Sequence, residues 1–212
     1  MIDLRTFSHI DRLQPQTTAM IGTGSRGFMP LEDQSCLIVE VAPGMSINVV
    51  TDIVLKRTSV VPGAQIVERA FGSVEFHSPD QGMIYAAGDA ILEYYGIGRE
   101  DRLQPKIVSE QTITGIENYQ SMLISRNRYG NFITKGETLY VLEVHPAGYA
   151  AFACNEAEKA ASIAVIDLLY FGAFGRLWLG GKEEEIAQAA AAIRHAIAGV
   201  KGRANDVKVD VY

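Results

Sequence analysis

Leu37-Ile38-Val39-Glu40-Val41-Ala42-Pro43 recurs as Tyr140-Val141-Leu142-Glu143-Val144-His145-Pro146, with Glu143 lying 103 residues after Glu40. Held without a gap, that offset brings Lys56 onto Lys159, Ser59 onto Ser162 and Ala70-Phe71-Gly72 onto Ala173-Phe174-Gly175. Upstream it brings Ile10 onto Ile113, Ile21 onto Ile124 and Gly27 onto Gly130; downstream, Ala86-Ala87 onto Ala189-Ala190. One register that serves from residue 10 to residue 190 marks an internal duplication, and a duplication decides the fold before any local reading does. The chain therefore reads as two copies of one unit, residues 1–100 and 101–200, followed by a charged, flexible tail over 201–212. In that tail Val207-Lys208-Val209-Asp210-Val211 alternates well enough for a short strand. Arg12-Leu13-Gln14-Pro15 also recurs, as Arg102-Leu103-Gln104-Pro105, but at an offset of 90, and is read as coincidence or a shared turn.

Each copy has the same internal order. Alternating branched and apolar residues predict a strand over Cys36–Ala42 and over Leu139–Val144, each followed by a Pro-containing turn. Helix spacing then appears in Ile47, Val50 and Val54, and in Tyr149, Phe152, Ala153, Ala157 and Ala160. Two strands around a glycine turn come next: Ala64–Phe71 and Ser73–His77, matched by Leu168–Phe174 and Arg176–Leu179. A last helix opens at Ser78-Pro79-Asp80-Gln81 with Ser78 as its cap and stops at Gly96; its counterpart runs from Glu183-Glu184-Glu185 to Gly199. Strands over Asp3–Ile10 and Lys106–Ile113 precede the two copies of this pattern. The fold class is α/β in the α+β sense, a sheet with helices packed on it, twice over.

Composition narrows the function. Of 212 residues, 48% are hydrophobic and 21% charged, which is ordinary for a globular protein. A net charge of −6 disfavours a phosphate-tracking surface, so no nucleic-acid partner is expected. The start, Met1-Ile2-Asp3-Leu4-Arg5, is not that of a signal peptide, and the most apolar stretch, Ala160–Gly181, is broken by Asp167 and Arg176 and cannot span a bilayer. Those features point to the cytoplasm. Cys36 and Cys154 fall in no ligand pattern, and His9, His77, His145 and His195 occupy four separate elements, so neither metal nor cofactor is expected. Gly22-Thr23-Gly24-Ser25-Arg26-Gly27 is glycine-rich, but Phe28-Met29-Pro30 follows where a phosphate loop needs a helix; it reads as a flexible surface loop. Glu40 and Glu143 read as strand-edge or interface charges, and no nucleophile has a base at hand, so the chain is not expected to be an enzyme.

At the hairpin, Gln65-Ile66-Val67-Glu68-Arg69-Ala70-Phe71-Gly72 aligns with Leu168-Leu169-Tyr170-Phe171-Gly172-Ala173-Phe174-Gly175, so that Glu68-Arg69 in one copy faces Phe171-Gly172 in the other. These segments, with Asp11-Arg12-Leu13-Gln14-Pro15-Gln16, Gly27-Phe28-Met29-Pro30-Leu31, Glu75-Phe76-His77-Ser78, Lys106-Ile107-Val108-Ser109, Asn155-Glu156-Ala157-Glu158-Lys159-Ala160 and Phe174-Gly175-Arg176-Leu177, carry a resemblance over nearly the whole chain. It resembles the bacterial microcompartment (BMC) shell domain in two tandem, circularly permuted copies, and within that family the stacking, gated tandem-domain trimers. The resemblance implies a pseudohexameric homotrimer tiling with other BMC shell proteins, located in the microcompartment shell in the cytoplasm, with small-molecule metabolites crossing its central pore. It implies a pore gate at Glu68 and Arg69, pore-lining loops at Ala70, Phe71, Gly72, Phe171, Gly172 and Ala173, tile-edge assembly through Lys56 and Lys159, and two trimers able to stack. The alternative from the residues alone is a small-molecule-binding regulatory module of paired α/β units.

Overall fold

Period-two alternation gives the central strand of each copy two faces. In β2 (Ser35–Ala42), Leu37, Val39 and Val41 point one way and Cys36, Ile38 and Glu40 the other, and the strand is buried along almost its entire length. A computed structural model describes residues 2–25 and 27–207 of the chain. It divides into two compact units, Met1–Leu103 and Gln104–Tyr212.

In the first unit, β1 (Asp3–Ile10), β2, β3 (Val61–Glu68) and β4 (Phe71–Ser78) form an antiparallel sheet in the order β1-β2-β4-β3. Helices α2 (Ile47–Arg57) and α3 (Gln81–Tyr95) cover one face. Leu37, Val39, Val41, Val74 and Phe76 meet Ile47, Val50, Val54, Ile84 and Ile91 there in the main core. The other face carries α1 (Pro15–Gly24), whose Thr17, Thr18, Met20 and Ile21 are buried. In the second unit β5 (Lys106–Ile113), β6 (Thr138–His145), β7 (Ala164–Leu169) and β8 (Gly175–Gly181) repeat the order as β5-β6-β8-β7. Helices α5 (Tyr149–Ala160) and α6 (Glu183–Ala198) correspond to α2 and α3, and α4 (Asn118–Arg126) to α1. Ile124 of α4 packs with Leu139 and Ile166 in a second core cluster.

The sequence reading missed α1 and α4. Pro15 sits at the start of α1, where its missing N–H costs nothing, but three threonines and two glycines among its ten residues are poor helix formers and blur the periodicity. Gly22-Thr23-Gly24, expected in a flexible loop, is its last turn, with Thr23 Oγ1 donating to the Met20 carbonyl at 2.7 Å. The two Gln-Pro pairs have different fates: Pro15 opens a helix, whereas Pro105 precedes β5, so the 90-residue match is not structural equivalence. The N-terminal cap of α3 is Asp80, accepting from the Gly82 N–H at 2.8 Å, while Ser78 Oγ accepts from the Asp80 N–H. Gly96 ends that helix in the left-handed conformation, as expected (φ 62°). Past Lys201 the described tail is tied down. Asn205 Nδ2 donates to the carbonyls of Gln104 (2.7 Å) and His145 (3.0 Å), and Gln104 N–H donates to the Arg203 carbonyl. Beyond Val207 the expected strand lies outside the described residues.

Candidate functional site

The hairpin between β3 and β4 carries an exposed pair of opposite charges, Glu68 and Arg69. Its last paired residues are Glu68 and Phe71, which leaves a two-residue turn of Arg69 and Ala70. The expected glycine turn is thus displaced: Gly72 lies within β4, opposite Val67 and Val41. Glu68, Arg69 and Ala70 are exposed, and among the described residues neither Glu68 nor Arg69 forms an ion pair. Twist-matched two-residue hairpins need positive φ in the turn. Arg69 and Ala70 do not have it, so the turn is not locked by its own geometry.

Its base is fixed instead by packing. A Cβ on Gly72 would fall 2.2 Å from the Gly44 carbonyl oxygen and 2.7 Å from Ile47 Cβ, so β4 passes directly over the turn that opens α2. On Phe71 the Arg5 guanidinium lies 3.6 Å from the ring centroid. The duplicate keeps the glycine contact and changes the rest. Gly175 approaches Ala147 and Ala150 in the same way, with a Cβ at 2.3 Å from the Ala147 oxygen. Between β7 and β8, however, run five residues, Tyr170–Phe174, with Gly172 at φ 98°. Buried Tyr170 packs edge-on to Phe171, and Ala173 is exposed. Each unit thus gathers its expected loop residues on one hairpin: Glu68, Arg69, Ala70, Phe71 and Gly72 on the first, Phe171, Gly172 and Ala173 on the second.

Lys56 and Lys159 stand in the last turns of α2 and α5, where cations suit the helix dipole. They pair locally, Lys56 Nζ with Asp52 and Lys159 Nζ with Glu156, both at 2.7 Å.

Glu40 corrects the strand-edge expectation. It lies in a central strand, buried, with Arg5 Nε donating to it at 2.7 Å and Thr6 Oγ1 at 3.3 Å. Its duplicate Glu143 takes Arg176, on β8, at 2.8 Å. A second buried polar cluster went unread. Glu75 and His77 face α1 from β4, His77 Nδ1 standing 3.1 Å from Glu75 Oε2, with Cys36 across the strand pair from His77. A Cβ on Gly63 would fall 2.1 Å from Glu75 Oε2. Burial pushes the Glu75 carboxyl up, with the His77 contact and a hydrogen bond from Gly63 opposing. The legible signal was Glu and His at alternate positions of an otherwise apolar strand. The equivalent residues of the other copy, Trp178 for Glu75 and Ile166 for Gly63, are apolar and pack with the second core cluster.

Among the described residues these buried groups are not set up as a nucleophile with a base at hand. Burial, then Glu75, drives the Cys36 thiol well above the usual range, the opposite of nucleophile activation. Burial, then Arg99, lowers His9 to about 4; the ring stacks on Tyr85. Among the described residues no three His, Cys, Asp or Glu side chains are grouped to hold a metal ion.

Fold and site together define a duplicated structural module whose distinctive chemistry lies on exposed hairpins and helix ends. The model of the CsoS1D N-terminal domain matches residues 4–101. The chain is 45% identical over 202 residues to the carboxysome shell protein CcmP of Synechococcus elongatus, covering 95% of each chain. It is 46% identical over 197 residues to the carboxysome shell protein CsoS1D of Prochlorococcus marinus, covering 92% of this chain and 77% of the relative. Among solved structures, the fused permuted hexameric shell protein MSM0275 from the RMM microcompartment superposes with TM-score 0.92 at 45% identity (95% of this chain, 99% of that one). The double-ringed trimeric shell protein MSM0271 of the same microcompartment gives 0.93 at 36% identity (97% and 100%). The chain belongs to the bacterial microcompartment shell proteins, in the group of carboxysome shell proteins CcmP and CsoS1D, and is a structural shell component rather than an enzyme.

Proposed function

We propose that three copies ring one axis as six BMC units, that the ring tiles a shell facet beside other shell proteins, and that its central pore admits small metabolites under control of Glu68 and Arg69. The observation that carries the gate is the hairpin itself: two opposite charges at an exposed tip, in no ion pair among the described residues, above a base fixed by Gly72. Around a threefold axis three such tips converge. Arg69 of one chain paired with Glu68 of the next closes the opening, and both turned to solvent open it. Exposed ion pairs contribute about 0–1 kcal/mol each, so the two states lie close in energy and a modest bias shifts them. Phe171, Gly172 and Ala173 supply an uncharged wall between the charged turns, beside Ala70, Phe71 and Gly72.

Lys56 and Lys159 act at the tile edge; both are carried on helix ends, Lys56 in an exposed local pair and Lys159 in a partly exposed one. Two rings stack face to face. The double-ringed relative supports this, as do Phe28, Met29 and Leu31 before β2 and Phe132 before β6, large apolar side chains left exposed. Native mass tests the assembly: with 23.1 kDa per chain, a ring is 69.3 kDa and a stacked pair 138.6 kDa. A monomer or dimer at micromolar concentration overturns it. For the gate, replacing both Glu68 and Arg69 by Ala is expected to keep those masses and leave the axis open in crystals. A sealed axis in that variant refutes the assignment.

A further inference from the structure

We propose that Arg5 is the positioning residue of the gating hairpin, holding its base through Phe71 so that only the Arg69-Ala70 tip moves. This rests on the gate reading above for its purpose, but not for its geometry.

The arrangement begins with a β-bulge. Pairing between β1 and β2 slips between Leu4 and Thr6, so Arg5 is the extra residue. Consecutive strand residues normally point to opposite faces. The bulge re-aims Arg5, so that both Arg5 Nε and Thr6 Oγ1 reach the same carboxylate, that of Glu40. Glu40 thereby fixes the guanidinium, whose Cζ lies over the Phe71 ring, 3.6 Å from its centroid. A planar guanidinium can donate edge-on to a carboxylate while its face covers an aromatic ring; a compact, strongly hydrated ammonium on a flexible stem covers the ring less well. Phe71 is the residue whose backbone pairs with Glu68 to close the turn. From the other side the Gly44 backbone presses on Phe71 and Gly72. The base is therefore gripped on both sides while the tip is free.

The duplicate shows that the fold does not require this grip. The bulge recurs between Ile107 and Ser109, and the residue there is Val108. Glu143 turns to Arg176 instead, and Phe174 is left tilted beside His145 at 5.9 Å. The glycine contact is common to both copies, but among the described residues a cation lies over the hairpin-base phenylalanine in the unit bearing Glu68 and Arg69 alone; in the other unit Arg128 lies over Trp178 instead. A buried ion pair is a costly way to gain stability and is better suited to fixing one geometry.

The test uses the full chain and two substitutions that leave Glu40 paired. Phe71→Leu removes the ring, and Arg5→Lys keeps the charge but covers the ring less well. Hydrogen exchange read by mass spectrometry is followed over 67–72 and, as reference, over β2. Both variants are expected to exchange about tenfold faster over 67–72, with β2 and native mass unchanged. Unchanged exchange over 67–72 in both variants overturns the proposal, and so does acceleration spread evenly through the unit, which is what a merely structural role produces. The gate reading fails separately, on a sealed axis in the Glu68→Ala/Arg69→Ala variant, whatever the exchange result.

Discussion

Gly72→Ala adds one methyl group at a place where the structure has no room for it. The new carbon would stand 2.2 Å from the Gly44 carbonyl oxygen, 2.7 Å from Ile47 Cβ and 2.8 Å from Ile47 Cγ2, each well inside ordinary van der Waals contact. Two features bar an easy escape. The nearest obstacle is backbone rather than a flexible side-chain end, and Ile47 is fully buried in the main core. Overpacking of this kind typically costs about 1–3 kcal/mol, and contact with immovable backbone puts this case at the upper end. For a chain of 212 residues, each kcal/mol lowers the melting temperature by about 2–4 °C, so a fall of roughly 6–12 °C is expected.

Differential scanning calorimetry reads the shift, with Gly27→Ala as control, since a Cβ there meets nothing within 4 Å. Gly175→Ala should behave like Gly72→Ala, because its Cβ would stand 2.3 Å from the Ala147 oxygen and 2.7 Å from Ala150 Cβ. If Gly72→Ala melts within about 2 °C of the parent, where surface changes usually fall, the glycine contact does not fix the hairpin base and that reasoning is wrong.

The duplication explains what was legible. Residues such as Glu40 and Glu143, or Gly72 and Gly175, keep one register because each pair fills the same place in its own sheet. Residue patterns such as Ile47-Val50-Val54, with the repeat register, located all eight strands and four of the six α-helices of the described residues. What failed had physical causes. Threonine and glycine made α1 look like loop, although tertiary contacts hold it helical. A glycine near a hairpin was read as its turn, whereas Gly72 is there for close approach of Gly44. Arg5 was invisible as a partner of Phe71 because a bulge, which has no sequence signature here, sets its direction. The proposal of Glu68 and Arg69 as the gate comes from resemblance; their residue types alone describe any solvated strand end.

Two further predictions follow. Lys159→Ala is expected to weaken sheet formation seen by electron microscopy while ring mass and melting stay unchanged, because its pair with Glu156 is partly exposed and contributes little. Sheets identical to the parent's would remove Lys159 from the tile edge. Glu75→Gln is expected to abolish a pH dependence of stability. Burial raises the folded-state pKa of Glu75 above its ordinary 4.5, so the folded chain holds the proton longer than the unfolded one. The parent's contribution is then full below pH 4.5 and is lost as pH rises through the raised folded value. The amide keeps the neutral shape, so the melting temperature of the variant relative to the parent should rise with pH above 4.5 and level off once the folded carboxyl has ionised. A difference that stays flat with pH, or shrinks as pH rises, would mean that Glu75 keeps its charge in the fold, held by His77 at 3.1 Å more strongly than burial opposes it.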